Sequence, residues 1–125
     1  MLASCRTHTT LPVLDRARAR AFYAEKLGLT PSEETEQAIV YDGGSGRFIL
    51  FPTGNPARGG HTQMGFTVKD IEATVTGLQA RGVVFEQYDF PGFKTENGIA
   101  RTGPNRAAWF KDSEGNLLGL IQFGT

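Results

Sequence analysis

Apolar and polar side chains alternate through HTTLPVLD, with Thr9, Leu11 and Val13 on one face and His8, Thr10 and Pro12 on the other. A period of two marks a half-buried strand. Asp15 then offers an N-cap to a helix whose apolar stripe is Ala19, Phe22, Tyr23 and Leu27, and Gly28 stands at the C′ position. Short strands are expected over residues 30–34, 37–42 and 47–51, the last two joined by a Gly-Gly-Ser-Gly turn.

The same grammar repeats downstream. QMGFTVKD sets Met64, Phe66 and Val68 on one face, Asp70 caps a second helix carrying Ile71, Val75 and Leu78 at i, i+4 and i+7, and Gly82 ends it. Three strands are expected after it: over 83–88, over 99–101 or 106–111, and over 117–123. Overlaying Leu11-Pro12-Val13 on Phe66-Thr67-Val68 sets His8 opposite Gln63, an offset of 55 residues. That period is too long for a solenoid and natural for a duplicated unit. The expected architecture is α+β, a single domain over 1–125 made of two βαβββ modules, at about 7–52 and about 62–123. Each module is expected to form a curved, mixed, four-stranded sheet with one helix on one face. The other face stays open unless the modules wrap a common cavity. Residues 89–105, DFPGFKTENGIARTGPN, form the longest irregular segment and are read as a lid over that cavity, with Asn97-Gly98 as a tight hairpin turn inside it.

Two stretches carry a family resemblance. LPVLDRARARAFYAEKLGL resembles the first strand and helix of the vicinal oxygen chelate superfamily, which includes glyoxalase I, bleomycin-resistance proteins, extradiol dioxygenases and fosfomycin-resistance enzymes. KDSEGNLLGLIQF resembles that superfamily's final hairpin, and the similarity runs from His8 to Phe123. The resemblance implies the paired-module fold around a cavity. For function it implies only a range, from isomerases and dioxygenases to purely binding proteins.

The family's enzymes hold a divalent ion on four strands, with His or Gln, Glu, His and Glu. Carried over, the first position falls on His8, five residues before Val13, and the symmetric one on Gln63, five before Val68. The final carboxylate, seven residues after Asp112, falls on Gly119, and the remaining ligand on Leu50. Both anionic positions are therefore apolar or empty. Mg²⁺ and Mn²⁺ sites want hard, anionic oxygens, and Zn²⁺, Ni²⁺ or Fe²⁺ sites take three or more protein ligands. No metal or other cofactor is expected, and no glyoxalase I activity. A glycine inside a strand marks a bulge or a close approach, and Gly119 is read as open space in the cavity floor.

Composition narrows the partners. Thirteen basic and thirteen acidic residues cancel, so no long-range field draws the chain to nucleic acid or an anionic membrane. The single cysteine, Cys5, excludes an internal disulfide and fits a reducing compartment. MLASCRTHTT lacks the apolar core of a signal peptide, and a cytoplasmic protein is expected. Tyr41, Tyr88, Phe90 and Phe93 flank turns where a cavity mouth would lie, while Trp109 and Phe110 suit the core.

The function expected is binding of a small apolar or aromatic molecule, in the manner of glyoxalase/bleomycin-resistance proteins. Its site would be lined by His8, Thr10, Tyr41, Leu50, Gln63, Tyr88, Phe93 and Gly119. The alternative is a lyase, isomerase or dioxygenase with a rearranged or metal-independent site, recruiting His61, Glu86, Asp89 or Glu96, or using His8 as general base. A homodimer is expected, because short curved sheets leave edges and faces to cover. Its contacts would be the first strand of each module and residues 52–60.

Overall fold

The chain is described from a computed structural model over residues 1–44, 46–55 and 60–124. Its first half runs β1 (Thr9–Val13), α1 (Arg16–Glu25), β2 (Glu33–Glu34), β3 (Ile39–Gly43) and β4 (Gly46–Pro52). The second half runs β5 (Met64–Thr67), α2 (Ile71–Ala80), β6 (Asp89–Phe90), β7 (Phe93–Glu96), β8 (Ile99–Thr102), β9 (Asn105–Lys111) and β10 (Leu117–Gln122). Strand order is β1-β4-β3-β2 in a four-stranded sheet and β5-β10-β9-β8-β7-β6 in a six-stranded one. In each, the first strand lies parallel to the last and all other neighbours are antiparallel. A parallel pair needs a crossover, and α1 and α2 supply it. The two mixed sheets stay separate and do not close into a barrel.

Both helices begin as expected. Asp15 accepts from the Arg18 N–H at 2.9 Å and Asp70 from the Ala73 N–H at 3.1 Å, each satisfying a donor that the first turn leaves free. At the end of α2 the Gly82 N–H donates to Gln79 O and the Val83 N–H to Leu78 O, the paired bonds of a Schellman motif, and Gly82 supplies its left-handed residue with φ 94°. Helix α1 has its C-cap at Lys26, one residue earlier than the sequence suggested, and left-handed Gly28, with φ 71°, lies just beyond the C′ position.

The helices choose the buried face. In the first sheet Leu11, Leu50 and Ile39 stand side by side across three strands, wholly buried beneath Ala19 and Tyr23. In the second, Leu118 beside Phe110 and Leu120 beside Ala108 lie beneath Ile71 and Val75. Phe48 and Phe66 meet edge to face at 6.4 Å and join the two halves into one core. No helix among the described residues is long and apolar enough to cross a membrane.

Three details depart from the sequence reading. Residues 83–88 alternate, with Val83 and Phe85 buried and Val84 exposed, yet only Phe85 bridges to Phe110. Alternation reports two-sidedness, and here no neighbouring strand completes a ladder. Both 99–102 and 105–111 are strands, although the reading offered them as alternatives. The expected lid, 89–105, folds as successive hairpins that extend the second sheet to six strands. Its turn at Asn97-Gly98 has φ of 50° and 79°, the geometry of a two-residue hairpin that Asn-Gly favours.

Candidate functional site

The turn between β9 and β10, DSEGN, is polar and buried. Asp112 Oδ1 accepts from the N–H groups of Glu114 and Asn116, and Oδ2 accepts from the Tyr23 hydroxyl at 2.7 Å and the Asn116 amide at 2.8 Å. Asn116 also donates to Pro12 O at 3.0 Å, so one side chain ties the turn to β1. Gln63 spends its amide here: Nε2 donates to Asn116 Oδ1 at 2.9 Å, and Oε1 accepts from the Leu117 N–H at 3.0 Å. Gln63 is a latch on this turn.

Glu114 lies beneath the start of α1, its side chain 1% exposed. It accepts from the N–H groups of Leu14 and Asp15 at 2.8 Å each, from both ends of the Arg18 guanidinium and from Ser113. Burial pushes its carboxyl up, but the bonds from Arg18, Asp15, Ser113 and Leu14 outweigh it and hold the pKa at about 2.

A second cluster is aromatic and partly exposed. Trp109 lies between the core residues Ala108 and Phe110, so its side chain points to the face of the second sheet away from α2. Gly119 is its cross-strand partner, and a Cβ there would lie 3.5 Å from Trp109 Cδ1 and 3.2 Å from Thr62 Cγ2. The indole N–H donates to Thr62 Oγ1 at 3.0 Å. Gly119 thus makes room for the indole, which occupies the space the sequence reading left open.

Tyr88 and Phe93 each pack against Trp109 with centroids 5.7 Å apart, and Phe90 completes the group at 6.0 Å from Tyr88. Phe90 is 58% exposed, and the other three rings are half-buried. Thr95 holds the set together. Its hydroxyl accepts from the Tyr88 N–H at 2.8 Å and donates to Gln87 Oε1, which also accepts from the Gly98 N–H. Burial first, then Glu86, pushes the Tyr88 hydroxyl up in pKa, so it remains a neutral donor.

Of the eight residues expected at the site, Tyr88, Phe93 and Gly119 converge on this platform. Thr10 is exposed on the face of β1 away from α1, beside Ile49, and His8 is exposed just before that strand. Leu50 and Tyr41 lie on the opposite, helix-covered face, 0% and 3% exposed. The register explains it: Ile49, not Leu50, is the β4 side chain on Thr10's face. Tyr41 instead stacks on Phe48 at 4.7 Å, beside a half-open groove of about 590 Å³ between the two halves of the chain.

His61, Glu86, Asp89 and Glu96 do not come together. His61 and Asp89 are exposed, Glu86 faces Lys111 at 3.6 Å, and Glu96 lies beside α2. Among the described residues no three His, Cys, Asp or Glu side chains cluster closely enough to hold a metal ion. Sequence reasoning assigned Trp109 to the core and passed over Thr62. The signal was available in Ala107-Ala108-Trp109-Phe110, where alternation sends neighbouring aromatics to opposite faces.

Residues 6–120 match the family described as the Glyoxalase/Bleomycin resistance protein/Dioxygenase superfamily. The chain belongs to that superfamily. Among solved structures it is similar to UcmS2, at 25% identity over 91% of this chain and 94% of that one, with a TM-score of 0.70. It is also similar to TnmS3, an antibiotic binding protein from Streptomyces sp. CB03234, at 22% identity, 96% and 98% coverage and a TM-score of 0.69. A glyoxalase/bleomycin resistance protein/dioxygenase from Alicyclobacillus acidocaldarius superposes with a TM-score of 0.70 at 19% identity, covering 96% and 92% of the two chains. No protein of curated function matches the sequence.

Proposed function

We propose that this superfamily member binds a small, uncharged, planar aromatic molecule on the Tyr88–Phe90–Phe93–Trp109 platform, and that it does so without a metal ion. The platform carries the reading. Four rings gathered on one sheet face, one of them 58% exposed, offer stacking area, and Thr62 supplies a hydroxyl at the rim. The antibiotic-binding similarity of TnmS3 agrees with a binding role.

The family's metal does not suit the residues present. His8 lies outside the strand, Gln63 is bonded to Asn116 and Leu117, and Gly119 has no donor beyond its backbone. At the fourth position Ile49 or Leu50 brings only hydrocarbon. Such a set lacks the anionic oxygens or the three ligands a divalent ion takes. Glyoxalase I chemistry, which in this family uses a carboxylate at the final-strand position, is therefore not proposed. The protein is proposed to act as a homodimer.

Trp109 is the sole tryptophan, so its emission reports the platform directly. Titration with 2-naphthol should quench it saturably, and Phe93→Ala should weaken binding about fivefold to tenfold. Quenching that stays linear in concentration, or equals that of the variant, would overturn the reading. Stoichiometric Zn, Ni, Fe or Mn in untagged protein would overturn its metal-free part.

A further inference from the structure

On the other side of the second sheet, beneath α2, runs a polar groove of about 580 Å³ lined by Glu72, Thr76, Lys94, Glu96, Ile99, Arg101 and Arg106, with Asn97 at one end. Glu72, Thr76 and Gln79, spaced i, i+4 and i+7, turn one face of α2 toward it. Gln79 Nε2 donates to Asn97 Oδ1 at 3.1 Å and closes that end, which leaves the Asn97 amide hydrogens to donate elsewhere.

The charges in this groove are unevenly satisfied. Arg101 and Arg106 are direct cross-strand partners on β8 and β9. Like charges placed opposite one another repel and weaken the pairing. Glu72 takes up Nη2 of Arg106, but Arg106 Nε is buried without an acceptor, and neither Arg101 nor Lys94 has an ion-pair partner among the described residues. An acceptor between the two guanidiniums would relieve the repulsion and use their paired N–H donors.

We propose that this groove binds the oxyanion of a small organic molecule, a phosphate or carboxylate group, through Arg101 and Arg106 with Lys94 and Thr76 beside them. Guanidinium forks match the planar spacing of such oxygens better than an ammonium does. Glu72 and Glu96 limit the groove to a single positive charge in excess, which suits one anionic group and not a polyanion. The site is separate from the aromatic platform, which lies on the opposite face of the same sheet.

The test uses inorganic phosphate and acetate as probes, each against sodium chloride at matched ionic strength, with the arginine Nε–H resonances followed by NMR. Saturable shifts of Arg101 and Arg106 are expected at roughly millimolar concentration for at least one probe. The probe that saturates identifies the anion's chemistry. Arg101 is exposed, so Arg101→Ala should fold normally, and it should weaken the saturating probe about tenfold or more. Trp109 emission should stay constant throughout. No saturation above the chloride control with either probe, or equal affinity in Arg101→Ala, would overturn the site without touching the platform.

Discussion

A side chain at Gly119 would press on the Thr62 methyl at 3.2 Å and on the Trp109 ring at 3.5 Å, so a larger residue there must displace one of them. Alanine needs only a small yielding of the Thr62 methyl. Leucine must move the indole, and Gly119→Leu is expected to lower stability by ~1–3 kcal/mol, the usual range for overpacking. The same change breaks the bond from Trp109 to Thr62 and reopens the platform, so emission should shift as well. Urea melts followed through Trp109 check both effects. A variant as stable as the parent, with unchanged emission, would show that the indole does not fill this space. The family resemblance, counted from Asp112, put Gly119 on the cavity side, and its pairing with Trp109 sets it on the face away from α2. What fills the vacancy was not legible, because Thr62 and Trp109 are 47 residues apart in sequence and meet only in the fold.

The start of α1 and the β9–β10 turn act as one element through Glu114. Two backbone N–H groups at the entry to the helix and the Arg18 guanidinium all end on one carboxylate. With its pKa at about 2, against an ordinary 4.5, the carboxylate binds protons less readily folded than unfolded. Its contribution is therefore complete above about pH 4.5 and disappears as pH falls toward and through 2. Glu114→Gln should cost roughly 1–3 kcal/mol at pH 7, since an amide cannot accept all these bonds, and the difference from the parent should shrink on acidification. Denaturant melts at pH 7 and pH 3 test it; a pH-independent difference would assign the loss to packing. The helix and its Asp15 cap were readable from local spacing, and its end to within one residue. The burial of Glu114 was not, because a charged residue in a Ser-Glu-Gly turn looks solvated until the other half of the chain covers it. The strands in 89–105 were only partly legible: Asn97-Gly98 read as a hairpin turn, but the segments between Gly92, Gly98 and Gly103 are too short for alternation to declare them strands.

At the scale of the molecule, the two sheets share one core on their helix-covered sides and leave the other sides bare. Thr10 and Phe51 are exposed on the uncovered face of the first sheet, and the aromatic platform lies on that of the second. Among the described residues β1 and β5 are each the last strand of their sheet, with one edge unpaired by another strand. Open edges and bare apolar faces invite pairing with another copy, and closed two-fold dimers are the common solution. The sequence pointed to residues 52–60 as part of that contact, but 56–59 fall outside the described residues; β1, β5 and Phe51 are the surfaces that would meet. Light scattering at tens of micromolar should give about twice the 13.6 kDa of one chain. Phe51→Glu, which places a charge on the bare face without touching the core, should move that mass to the monomer. If the partner copy roofs the platform, the same variant must also weaken 2-naphthol binding, although Phe51 lies on the other sheet from Trp109. Loss of both together is the expected outcome. A monomeric parent would reject the dimer, and a monomeric Phe51→Glu with undiminished binding would place the whole ligand site within one chain.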